Sequence, residues 1–70
     1  MLRMKKLREY RNKYRLTQTE LAEQIGIRQP TLCDYENGKK RPSPETAKKM
    51  EAITGIPRMY FIYGEESAQP

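Results

Sequence analysis

Apolar residues recur along this chain at helical rather than strand spacing, in short runs punctuated by glycine and proline. Leu7, Tyr10, Arg11 and Tyr14 fall on one stripe at i, i+3, i+4 and i+7, which predicts a first helix from about Leu2 to Tyr14. Lys5, Lys6, Arg8 and Lys13 lie mostly off that stripe. Arg15-Leu16 reads as a turn. Thr17-Gln18-Thr19-Glu20 has the S/T-x-x-E form of a capping box, so Thr17 is expected to cap a second helix running to Ile25. Its inward residues are Leu21, Ala22 and Ile25, and Gly26 can take the left-handed backbone that ends it. A third helix begins near Gln29, tolerates Pro30 in its first turn and stops at Gly38. Ser43-Pro44 opens a fourth helix to about Ile53, with Ala47, Met50 and Ile53 inward, and Thr54-Gly55 closes it. Ile56-Pro57 leads into a fifth, nearly all apolar, "PRMYFIYG". No Val/Ile/Thr-rich alternation suggests a strand. The expected fold is all-α, five short helices around one core over residues 1–64, with a flexible tail at 65–70.

The third helix is only half committed to that core. Leu32, Tyr35 and Glu36 share one side, whereas Pro30, Cys33, Asp34 and Asn37 share the other. Lys39, Lys40 and Arg41 follow it directly. This local charge belongs to an uneven overall distribution. Residues 1–15 carry seven basic groups against one acid, and residues 39–50 carry five against one. Between them, residues 16–38 hold one basic group against four acids, within a net charge of +5. Two basic blocks flanking an acidic centre fit a polyanion such as nucleic acid, and equally a solvated helix face plus a basic loop.

Composition narrows the classes. Seventy residues suit one domain that buries about 60% of its unfolded surface. Cys33 is the only cysteine, which suits a reducing cytosol. No apolar run approaches the ~18 residues of a membrane helix, and the basic start lacks the apolar stretch of a signal peptide, so a soluble cytoplasmic protein is expected. Without histidine or a second cysteine, no metal, cofactor or catalytic residue is expected, and an enzyme is not.

The second and third helices, joined by a three- or four-residue turn containing Gly26, have helix-turn-helix spacing. The residues go further. Leu16-Thr17-Gln18, Leu21-Ala22, Ile25-Gly26, Glu36-Asn37-Gly38-Lys39 and Pro42-Ser43, with the later "GIPRMYFIYG", resemble the Xre-type helix-turn-helix domain of phage repressors and Cro proteins over roughly residues 7–64. That resemblance implies a lambda-repressor-like fold whose third helix enters the major groove of double-stranded DNA. It assigns base reading to Arg28, Gln29, Thr31 and Asp34, and phosphate binding to Gln18, Asn37, Lys39, Lys40 and Arg41. The chemistry agrees: Arg can fork onto guanine, Gln onto adenine, and Asp can accept from cytosine N4. Asp34 has a second reading, as a carboxylate that positions Arg28 or Gln29. Cys33 faces the groove as a small filler or a thymine-methyl contact. The resemblance also implies a structural Arg11–Glu36 salt bridge, because both residues lie on core sides of their helices.

Three residues depart from the family pattern. Arg15 stands where Gly is common, Arg28 where a Ser/Thr cap is preferred, and Pro30 removes an N–H from the groove-facing end. The expected function is a sequence-specific transcriptional regulator, most naturally a repressor, binding a palindromic operator as a homodimer. The fifth helix either supplies the dimer contact through Met59, Tyr60 and Tyr63 or lies wholly in the core. The same fold serves restriction–modification controllers, phage regulators and antitoxins. A protein-interaction adaptor using the fifth helix is the rival from another class.

Overall fold

A computed structural model describes residues 4–63. It contains α1 (Lys5–Lys13), α2 (Gln18–Ile25), α3 (Gln29–Asn37), α4 (Pro44–Thr54) and α5 (Arg58–Tyr63), and no strand among the described residues. The predicted tail at 65–70 and the expected start of the first helix at Leu2 lie outside the described residues. Within them α1 begins at Lys5, behind Met4.

The helix ends follow from local chemistry. Thr17 and Glu20 form the full capping box: Thr17 N–H donates to Glu20 Oε1 at 2.9 Å, and Glu20 N–H donates to Thr17 Oγ1 at 3.0 Å. The Thr17 backbone N–H, and after it the Thr17 side chain, hold the Glu20 carboxyl below the usual carboxylate range. Ser43 caps α4 by accepting from Thr46 N–H, with Pro44 opening the helix. Gly26 (φ 88°) and Gly38 (φ 77°) end α2 and α3 in the left-handed region that a side chain disfavours.

One core collects every helix. Met4 and Leu7 come from the α1 end, Leu21, Ala22 and Ile25 from α2, and Leu32 and Tyr35 from α3. Ala47, Met50, Tyr60 and Phe61 close it from α4 and α5. Helix α2 packs on both α3 and α4, α5 packs on α4, and α1 packs on α3. The hydroxyl of Tyr10 donates to Ile53 O at 3.3 Å, tying α1 to the end of α4.

One stripe assignment is corrected, and the fifth helix follows neither of its two readings whole. Tyr14 is 54% exposed, because the helix ends at Lys13 and leaves Tyr14 stacked on Tyr10 at 4.7 Å instead of in the core. Tyr60 is only 1% exposed, packs edge-on against Phe61 and accepts a hydrogen bond from Lys6 N–H at 3.0 Å. It is a core residue and has no surface to offer a second copy. Met59 and Tyr63 remain exposed, at 56% and 49%.

Candidate nucleic-acid interface

Helix α3 is fixed from its buried side. The Glu36 side chain is fully buried and accepts from three directions. Arg11 grips it with a fork, Nε to Oε2 at 2.8 Å and Nη2 to Oε1 at 3.1 Å. Gln18 Nε2 donates to Oε1 at 3.2 Å, and Arg8 Nε stands 3.7 Å from the same oxygen. Arg11 also donates through Nη1 to Leu16 O, so one guanidinium joins α1, the turn before α2, and α3. The hydrogen bond to Glu36 raises the pKa of Arg11 above its ordinary value, against the opposing effect of burial. On the same inner side, burial pushes the Tyr35 phenol up.

The chain of bonds continues outward. Gln29 Nε2 donates to Gln18 Oε1 at 2.7 Å. A carboxylate only accepts, so Gln18 must turn its nitrogen to Glu36 and its oxygen to Gln29. Gln29 must then give one N–H to Gln18, keeping its oxygen and its second N–H. That acceptor–donor pair is what the adenine N6/N7 edge requires. This Glu36–Gln18–Gln29 relay was not predicted. Spacing puts Gln29 and Glu36, seven residues apart, on one side of the helix, but their link through Gln18 of α2 depends on how the two helices cross.

Among the described residues, no helix packs over the opposite side of α3. Pro30 is exposed, and Thr31, Cys33, Asp34 and Asn37 are partly exposed. Arg28 stands at the helix entrance in extended backbone (φ −84°, ψ 149°) with no side-chain cap bond, and it is exposed. Asn37 Nδ2 donates to Cys33 Sγ at 3.4 Å. Asp34 does not hold Arg28 or Gln29: its ion partner is Lys40, Nζ to Oδ2 at 3.7 Å. Lys39, Lys40 and Arg41 are exposed beyond Gly38, and Arg41 Nη1 donates to Ile62 O at 3.3 Å. Of the nine expected contact residues, Gln18 and Gln29 join side chains by a hydrogen bond, and Asp34 and Lys40 by their ion pair. The remainder form one rim: Arg28 at the entrance, the outward side of α3, and the basic turn at its end.

The sequence model described as helix-turn-helix matches residues 7–61, which include all of α2, the turn and α3. The chain belongs to the helix-turn-helix family. Relatives of this helix-turn-helix chain include an HTH-type transcriptional regulator of Archaeoglobus fulgidus, 42% identical over 48 residues and covering 69% of each chain. A second regulator of that organism is 36% identical over 62 residues and covers 87% of each. The transcriptional repressor RstR of the cryptic phage CTXphi in Vibrio cholerae is 36% identical over 62 residues, 89% of this chain and 56% of its own length. No solved structure matches the chain. Among the described residues no helix is long and apolar enough to cross a membrane, and no group of side chains has metal-site geometry.

Proposed function

We infer that this protein is a sequence-specific DNA-binding transcriptional regulator, acting as a repressor in the cytoplasm without enzymatic activity. Helix α3 enters the major groove, where Arg28, Gln29, Thr31 and Asp34 face base edges. Gln18, Asn37, Lys39 and Arg41 meet the phosphates and set the register of the helix on the duplex. The observation that carries this reading is the half-buried state of α3. Leu32, Tyr35 and Glu36 are fully packed while, among the described residues, no element covers the opposite side, a surface as wide as one helix in a groove about 12 Å across. The relatives named as transcriptional regulators, one of them a phage repressor, support the same reading.

One module reads few bases, so the acting form is a homodimer on a palindrome with half-sites about 34–36 Å apart, some 10 base pairs. Met59 and Tyr63 of α5 supply the contact. Selection of duplexes from a random pool tests the reading. An inverted repeat is expected, and Gln29→Ala should relax the preference at one position per half-site while Lys39→Ala weakens all sequences alike. A titration in which duplex DNA leaves the amide signals of residues 28–37 unmoved would end it.

A further inference from the structure

Of the two acids in α3, Glu36 is buried and Asp34 faces outward. Asp34 lies two positions beyond Leu32, about 200° around the helix, and so nearly opposite the core. Its ion partner on this face is Lys40, in the basic turn that follows the helix. Among the described residues, Lys40 alone pairs with this carboxylate. Asp is a weak helix former, and the second half of a helix disfavours negative charge. The ion pair with Lys40, 3.7 Å long at the surface, returns little. Duplex phosphates would repel it.

What a carboxylate does offer is a group that only accepts. In the major groove guanine presents two acceptors, thymine an acceptor and a methyl, and adenine a donor beside its N7 acceptor. Cytosine presents the N4 donor. Lys40 makes the carboxylate tolerable. The turn that closes α3 holds Lys40 in place, since Lys39 N–H donates to Asp34 O at 2.9 Å and Lys40 N–H to the same oxygen at 3.4 Å. The ammonium then engages Oδ2 and leaves Oδ1 to accept from a base.

We propose that Asp34 specifies a cytosine in each half-site and that Lys40 is its positioning counter-charge, not a free phosphate contact. The proposal rests on the reading of α3 as the groove helix. It also fixes a spacing. Gln29 and Asp34 are five residues apart, a rise of about 7.5 Å. At 3.4 Å per base pair, the adenine read by Gln29 and this cytosine lie about two pairs apart.

The test uses the full chain with Asp34→Ala, Asp34→Asn and Lys40→Met, whose positions outside the core should leave thermal melting within a few degrees of the parent. Affinities are measured for the selected duplex and for its three alternatives at that pair. The parent should prefer cytosine about tenfold. Asp34→Ala should bind all four pairs alike there and keep the adenine preference. Asp34→Asn should turn to adenine at that pair. Lys40→Met should shrink the cytosine preference at least about threefold and leave the adenine preference intact. A parent with adenine preference but no cytosine preference overturns the proposal alone. So does a cytosine preference that survives Asp34→Ala. Equal weakening of all four duplexes by Lys40→Met would return Lys40 to the phosphates. A parent that selects no duplex at all would sink the groove reading itself.

Discussion

Two arginines sit where their backbone would suit another residue, and the mismatch has different meanings at each. Arg15 holds φ 55°, the one positive value outside glycine among the described residues, in the turn that brings Leu16 N–H back to Arg11 O at 2.8 Å. A side chain in that region costs about 1 kcal/mol or more, whereas glycine gives back about 0.4–1 kcal/mol through its freer unfolded chain. Arg15→Gly is therefore expected to stabilise by about 0.5 kcal/mol, a rise of about 2–4 °C in Tm, and Arg15→Val to lower it, as read by thermal denaturation. Arg28 occupies the cap position of α3 in the extended backbone a capping residue uses, yet its side chain makes no cap bond. Arg28→Thr should restore that bond and add about 1 kcal/mol of stability. The same variant should lose the guanine preference at one operator position. Stability and selectivity moving in opposite directions would mark Arg28 as kept for its contact and not for its fold. A variant that gains stability with an unchanged binding profile would remove Arg28 from the base readers.

At the scale of the element, α2 and α3 are held by chemistry of different acid sensitivity. The fold lowers the pKa of Glu20, so the ionised capping box stabilises α2 above the ordinary value of 4.5. That contribution fades as pH falls through the lowered value. Glu20→Gln should flatten this part of the acid limb in a denaturation series across pH 5 to pH 2, at about those limits. Glu36→Ala acts on α3 instead. It leaves Arg11, 17% exposed, without its carboxylate and Gln18 without its inner acceptor. The expected cost is about 3–5 kcal/mol, with DNA affinity falling in step because Gln29 loses its fixed amide. Unchanged melting would refute the ion pair's structural role. These same residues show what the sequence could carry. Thr17, Gly26, Gly38 and Ser43-Pro44 act through bonds within a few residues, so the helix ends they mark were legible. The buried sides of α2 and α3 were legible from spacing. Tyr14 was not, because periodicity does not say where a stripe runs out of core. The burial of Tyr60 beside the exposed Met59 was hidden too, since every residue of the fifth run is apolar and only packing decides which side turns inward. The link from Gln18 to Gln29 spans two helices and needed their crossing.

At the scale of the whole molecule, Met59 and Tyr63 are one turn apart on α5, both about half exposed, while Tyr60 and Phe61 between them are buried. Single exposed apolar residues are ordinary, but an aligned pair on the shortest helix fits a contact between two copies. Such a contact would change DNA binding in a way that a test of dimerisation alone would miss. Each phosphate contact releases counterions and adds about 0.9 to the slope of log affinity against log salt. On the proposed reading Lys39 and Arg41 would give each protomer about two such contacts, and Lys40 none while it serves Asp34. A dimer is then expected to show a slope near −3.6, and a monomer near −1.8. Met59→Glu with Tyr63→Glu should abolish the dimer in sedimentation while leaving the core intact, because neither side chain reaches it. The same variant should halve the salt slope. If it sediments as a monomer and keeps the parent slope, the phosphate contacts belong to each module singly, and α5 must serve something other than doubling the grip on DNA.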